Sequence, residues 1–309
     1  MARDRSGSAA GYHILINENS GTAPALALDL TGHGRKVLEL GCASGHVTTA
    51  LKARGHRVTG VEIDPESAER ARAIADAVIT ADLDREALPD LIADRDFDVV
   101  LMGDVLEHLR DPLTVLQEAA QLLQPEGFAV VSLPNVAFVD VRMSLLDGDW
   151  TYHSDGLLDE THLRFFTRRT LFELSENAGL VVTELRRVLK DPGTSNVALP
   201  RPVVFGAVRE LLLRDPNATT YQFVAKLELP TEENRPAAQA LADRLSRDED
   251  AAYERLRDLV SPESGVLEAL QQSREELDAW KNTKLFRATV FPRRVYGRIR
   301  HALGRIAER

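Results

Sequence analysis

Between residues 36 and 133 the chain alternates short apolar runs with stretches whose apolar side chains recur at every third or fourth position, the pattern of parallel strands joined by crossover helices. The runs 36–40, 57–62, 77–80, 97–102 and 127–133 read as strands, and 45–54, 65–75 and 112–123 as helices. Asp64 before Pro65, and Asp111 before Pro112, set a capping carboxylate ahead of a proline at the first helical position, where the missing N–H would have no partner anyway. Beyond Pro134 an aromatic and charged segment, 135–166, breaks the alternation. A helix over 170–178 follows, stopped by Gly179. Two further strands, 180–189 and 221–229, flank a small helical insertion at 203–214. Residues 231–281 are charge-rich with helical spacing, interrupted around Ser261 to Gly265, so two amphipathic helices are expected there.

The fold class this predicts is α/β and Rossmann-like: a seven-stranded, mostly parallel sheet with helices on both faces, followed by a C-terminal helical extension. The expected divisions are a leader or lid over 1–35, a main domain over 36–230 with insertions at 134–167 and 190–220, the helical extension 231–283 and a tail at 284–309. A chain of 309 residues, 44% hydrophobic and 28% charged, suits one such domain with additions. No run approaches the ~18 apolar residues that cross a bilayer. The N-terminus lacks an apolar run behind its basic residues, which argues against a cleaved signal peptide. A single cysteine, Cys42, excludes an internal disulfide framework and a multi-cysteine zinc site, and suits a reducing, cytoplasmic setting.

Gly41 and Gly45 close the first strand and open the next helix as Gly-x-x-x-Gly. Without a Cβ, Gly41 lets a ligand approach the backbone and Gly45 lets the helix start tight against the sheet. The Gly-x-Gly-x-x-Gly turn that cradles a pyrophosphate is absent, so a ligand with a sugar and no phosphates fits better than a dinucleotide. Glu62, about 20 residues on at the end of the second strand, is placed to accept from both hydroxyls of a ribose. Asp82, with Leu83, follows the third strand and reads either as an acceptor for an adenine amine or as a solvated loop acid.

This glycine turn, together with Glu62, Asp82, the segment Gly103 to His108 and the segment Leu123 to Gly127, resembles the class I S-adenosylmethionine-dependent methyltransferases over roughly residues 12–229. The resemblance implies that Glu39 and Gly41 border the methionine moiety, that Cys42 and Gly45 are also cofactor-binding positions, that Glu62 binds the ribose, and that Ile63 packs on adenine. It further implies that Asp82 and Leu83 complete the adenine pocket and that Gly103 and Asp104 flank the sulfonium. Cys42 and Ala43 stand where many members carry a further glycine. The pattern Gly-Leu-Leu-Asp-x-Thr-His-Leu-Arg-Phe-Phe-Thr, matched from Gly156 to Thr167, is similar to methyltransferases of bacterial polysaccharide and lipid-linked glycan clusters, related in turn to quinone-biosynthesis O-methyltransferases.

Transfer to an oxygen needs an aligned hydroxyl and a group to accept its proton, and a histidine titrating near neutrality is the natural base. His108 and His162, with Asp159, are the candidates for the chemistry. Tyr152, His153 and Arg164 are expected on the acceptor side, with Tyr12 and His13 as an N-terminal lid or, alternatively, an unstructured leader. Phe165 and Phe166 read as core. In the related quinone enzymes the groups after the fourth strand also hold a divalent cation such as Mg2+. Here Asp104, Glu107 and His108 would supply it, the alternative being an acid cluster at a helix start.

A net charge of −10 argues against nucleic-acid partners. The charge is uneven, because residues 284–309 hold eight basic side chains and one acid. That tail, mixed with aromatic and aliphatic anchors, reads as a peripheral contact with the inner membrane face or as a helix docked on acidic protein. The acceptor expected is a hydroxyl of a sugar or glycan. A small phenolic or carboxylate metabolite, or a non-catalytic cofactor-binding role, is the alternative, and a homo-oligomer stays open.

Overall fold

The computed structural model describes residues 16–17, 20–197 and 206–260. The chain divides into two compact units: 1–198 with 216–248, and 199–215 with 249–309. In the first unit seven strands form one sheet: β1 (Lys36–Leu40), β2 (Arg57–Glu62), β3 (Ala77–Thr80), β4 (Phe97–Gly103), β5 (Leu123–Pro134), β6 (Val181–Leu189) and β7 (Thr220–Glu228), in the order β3-β2-β1-β4-β5-β7-β6. β7 runs antiparallel to both β5 and β6, and the other pairings are parallel. The helices are α1 (Ala23–Thr31), α2 (His46–Ala53), α3 (Pro65–Arg72), α4 (Leu88–Leu91), α5 (Pro112–Gln121), α6 (Val139–Leu146), α7 (Arg168–Asn177), α8 (Gly206–Leu212) and α9 (Arg235–Val260). Of these, α8 lies in the second unit, and α9 begins in the first and ends in the second.

The central strands β1 and β4 are buried almost end to end, as parallel strands covered on both faces must be. One core cluster, with Leu38, Leu40, Phe97, Met102, Leu116 and Phe223, fills one set of packing contacts. A second, with Ala27, Leu28, Val37, Leu51, Val99 and Val130, fills another. Asp64 and Asp111 cap α3 and α5 as expected, accepting from the backbone N–H of Ser67 and Thr114.

Several boundaries differ from the sequence reading. Residues 23–31 form a helix of the core instead of a leader: Ala23, Ala27, Leu28 and Leu30 are buried in the second cluster. Its small apolar residues are spread almost all round, so the helix carries little of the one-sided pattern that marks an amphipathic element. β5 starts at Leu123, four residues early, across a register shift between Phe97 and Val99. α6 lies inside the segment expected to be irregular and again lacks a one-sided pattern, since buried Val139, Val141 and Met143 alternate with Asp140, Arg142 and Ser144. Of the two helices expected over 231–281, α9 is the first; residues from 261 on, the basic tail included, lie outside the described residues, as do Tyr12 and His13. No helix among the described residues is long and apolar enough to cross a membrane.

Candidate active site

The ends of β1, β2 and β4 open onto two adjoining cavities that share Gly41 and Asp104. One, of about 370 Å³, is lined by Glu62, Ile63, Asp82, Leu83, Val105 and His108 among others. Its neighbour, of about 200 Å³, is lined by Glu39, Cys42, Ala43, His46, Gly103 and Ser132 among others. Gly41 has φ +69°, and a Cβ there would stand 2.6 Å from Cγ2 of Val105, so glycine is required at this wall shared by the two cavities. Gly45, with φ +87°, is pressed by Ile74 and Ala71 at the close of α3. Among the described residues two non-glycines also take positive φ, Ala43 at 46° and Asp104 at 55°, and both border this cleft. Backbone held in that region is strained, and strain of this kind gathers where a loop is shaped for a ligand.

Glu62 is buried, and its carboxylate is fixed by two backbone donors: Ala43 N to Oε2 and Asp64 N to Oε1, both at 2.8 Å. Each oxygen keeps a lone pair for a ligand hydroxyl, which suits a vicinal diol such as a ribose. Beside it Ile63 leaves 62% of its surface exposed, a flat apolar face bordering the larger cavity that an adenine would cover. Glu39 is buried and accepts from Thr48 Oγ1 at 2.7 Å; burial pushes its pKa up to about 7 despite that bond. The Cys42 thiol is pushed up to about 12, chiefly by burial and secondly by the charge of Glu39. Asp82 also lines the larger cavity, but its carboxylate is engaged by Asp84 N and Arg85, a local turn as much as a ligand contact. These residues fit S-adenosylmethionine: a carboxylate for the ribose, an apolar face for the adenine, and a glycine gap continuing toward Glu39.

The loop 149–167, expected from the sequence to face the acceptor, folds back over the segment that follows β4. Leu163 N and Arg164 N both donate to the carbonyl of Glu107. His108, on the rim of the larger cavity, sets Nδ1 3.1 Å from Thr161 Oγ1 and 3.3 Å from Thr161 O. Thr161 gives its own hydroxyl proton to Asp159 at 2.6 Å, and its carbonyl can only accept. Nδ1 of His108 therefore carries the proton, and Nε2 keeps a lone pair. Burial pulls against it, yet the hydrogen bonds from Thr161 and the nearby His162 and His108 hold the Asp159 pKa below its usual value. His162 is held likewise, Nδ1 to Leu157 O at 3.3 Å, and burial, then His108, lowers its pKa.

The cation set predicted from the sequence is rearranged. Asp104 Oδ1 is taken up by Ser132 Oγ at 2.5 Å and Gln222 Nε2 at 2.9 Å, whereas Glu107, His108 and His162 bring ligand atoms within 4.8 Å of one another. Both carboxylate oxygens of Glu107 are buried without a hydrogen-bond partner, and burial, then Asp104, drives its pKa well above the ordinary value. His162 sits 54 residues from His108 in sequence, and the crossing of the loop over β4 is what unites them. Arg164 does not reach toward an acceptor: it donates to the carbonyl of Arg110. Phe166 is core, but Phe165 is only half-buried and touches other rings. His153 pairs with the turn at Leu158 to Glu160 through backbone bonds.

A strut missed by sequence reading braces this loop. Asp140 on α6, wholly buried, accepts from Gly193 N at 2.8 Å and Ser195 Oγ at 2.6 Å, and Asn196 Nδ2 then donates to the carbonyl of Asp155 at 2.6 Å. Gly156, beside it, would drive a Cβ to within 2.6 Å of Asn196. The sequence sign of this strut is slight: an acid, Asp140, set between two valines in a segment read as irregular.

Residues 15–185 match the family described as a methyltransferase domain. A ubiquinone biosynthesis O-methyltransferase of Aeromonas salmonicida is 27% identical over 178 residues, 55% of this chain and 73% of that protein. One of Cereibacter sphaeroides is 30% identical over 171 residues, 54% and 68% of the two chains. Among solved structures, a 1,6-didemethyltoxoflavin N1-methyltransferase of Burkholderia thailandensis, with 1,6-didemethyltoxoflavin and S-adenosylhomocysteine bound, is 21% identical. It covers 70% of this chain and 80% of its own, with a TM-score of 0.45.

Proposed function

This chain belongs to the methyltransferase-domain family, it uses S-adenosylmethionine, and we propose that it methylates a hydroxyl of a sugar or glycan, with His108 as the base. The observation that carries the oxygen chemistry is the Asp159–Thr161–His108 chain, which leaves the Nε2 lone pair of a histidine at the rim of the cofactor cavity. The bound cofactor supplies a methyl group on a positively charged sulfur, which leaves as a neutral thioether. Glu62 and the bare backbone at Gly41 hold the cofactor in that end of the cleft. The acceptor oxygen forms the new bond to carbon, and its proton passes to His108 Nε2. Thr161 and Asp159 favour the imidazolium that results. The sugar reading is supported by the exposed, polar edge of the neighbouring loop, where Thr151, Ser154, Asp155 and Glu160 offer partners to a many-hydroxyl acceptor.

The relatives' printed names favour a second acceptor class, a small phenolic metabolite. A different observation, the orphaned carboxylate of Glu107, favours a divalent cation held by Glu107, His108 and His162, which would polarise the acceptor hydroxyl. Transfer of labelled methyl from S-adenosylmethionine into an extract of the source cells tests the acceptor. Label released by acid hydrolysis as an O-methyl monosaccharide supports the proposal, and label found only in phenolic metabolites transfers it to the second class.

A further inference from the structure

Trp150, Tyr152 and Phe165 stand in mutual ring contact. Trp150 meets Phe165 edge to face at 5.3 Å and Tyr152 at 6.5 Å, and Tyr152 lies tilted to Phe165 at 6.5 Å. Phe165 is 6.4 Å from the ring of His162, which is 4.8 Å from that of His108. A continuous row of rings thus leads from the rim of the cofactor cavity outward along the acceptor loop. Burial does not account for it. Phe166, the next residue, goes into the core at 7% exposure, while Tyr152 keeps half its surface in solvent and Trp150 and Phe165 are only half-buried. Large aromatic faces left partly in water, rimmed by polar groups, mark a surface meant to be covered.

Resting on the methyl-transfer reading of this cleft, we infer that Trp150 and Phe165, with Tyr152 as their outer edge, form the platform against which the acceptor ring lies by its flat, uncharged face, its hydroxyl toward His108. Aromatic faces are electron-rich. They attract the polarised C–H bonds of a pyranose face, or another ring, and give nothing to a carboxylate or phosphate. Asp155, Asp159 and Glu160 in the same loop add negative charge, so the methylated ring carries no anionic group. A pyranose and a phenol share this chemistry of a flat apolar face with a hydroxyl at its edge.

The test is steady-state methyl transfer at saturating S-adenosylmethionine, with the methyl-accepting fraction of the source-cell extract serially diluted as acceptor. Trp150→Ala raises the half-saturating acceptor concentration about tenfold, while Trp150→Phe, which keeps a ring, stays within about threefold of wild type. In both variants the KM for S-adenosylmethionine is unchanged. A defect confined to kcat, or equal in the two variants, or matched by a rise in the KM for the cofactor, overturns the platform and makes these rings a brace for the loop. Should Trp150→Ala lower the Tm, Tyr152→Ala, at an exposed position, is read by the same criteria. Acid hydrolysis of the labelled product separates this inference from the reading beneath it. An acceptor-KM effect with an O-methyl phenol as product keeps the platform and removes the sugar. An O-methyl monosaccharide with no acceptor-KM effect does the reverse, and a labelled uronic acid contradicts a ring without an anionic group.

Discussion

Sγ of Cys42 fills the space above Gly60, where a Cβ would come within 2.7 Å of it. The pairing explains how a side chain is tolerated in the glycine turn: β2 yields the room that Cys42 takes. It also hides the thiol, which is buried and raised to about 12. As this is the sole cysteine of the chain, alkylation by iodoacetamide reports on one site. Labelling near pH 7.5 follows opening of the cofactor loop, and saturating S-adenosylhomocysteine slows it. Fast labelling that ignores the ligand would place the thiol elsewhere.

Gly41→Ala puts a methyl group against Val105 in a backbone region that alanine resists. We expect a loss of stability of about 1–3 kcal/mol and a larger proportional loss of cofactor affinity, because the same Cβ intrudes on the wall that both cavities share. Urea unfolding and calorimetric titration with S-adenosylhomocysteine measure the two separately.

Two buried groups give stability opposite pH slopes. Glu39 has its pKa raised by burial to about 7, so the folded state binds its proton more tightly than the unfolded one, and this contribution is lost as pH rises from about 4.5 through about 7. His56 accepts from Arg35 N through Nδ1 and reaches Gly32 O through Nε2, an arrangement only the neutral ring can make; burial lowers its pKa, and its contribution is lost as pH falls below about 6.5. Thermal unfolding against pH should show Glu39→Gln flattening the slope on the alkaline side of that window, and His56→Gln flattening the acid side.

Glu107 decides between a base alone and a base beside a cation. Burial raises the pKa of Glu107 and leaves both its oxygens without a partner, so for a base acting alone the isosteric Glu107→Gln is expected to keep activity within about threefold of wild type and insensitive to EDTA. Loss of activity in Glu107→Gln together with loss on chelation, restored by Mg2+ or Zn2+, would instead establish the cation site with His108 and His162.

The sheet was legible because its strands are short, continuous apolar runs: β1, β2 and β3 have the bounds expected from Lys36, Arg57 and Ala77 onward. The turn at Gly41 and the position of Glu62 were legible for the same reason, since the spacing between two adjacent parallel strands fixes what lies at their ends. The helices α1 and α6 were not. α1 is apolar on most sides and α6 alternates polar with apolar residues, and periodicity reports contrast between faces, which both lack. Nor could sequence distance show that His162 would replace Asp104 beside Glu107 and His108, or that Asn196 would brace Asp155, since each depends on how a loop folds back across β4.

The most direct test of the account compares wild type, Glu62→Gln and His108→Gln for two quantities: binding of S-adenosylhomocysteine by calorimetry, and rate of methyl transfer to the source-cell acceptor fraction. Glu62→Gln is expected to weaken binding on the order of a hundredfold, and His108→Gln to bind normally yet lose between about a hundredfold and ten thousandfold in kcat. His108→Gln with wild-type kcat, or Glu62→Gln with unaltered affinity, would contradict it.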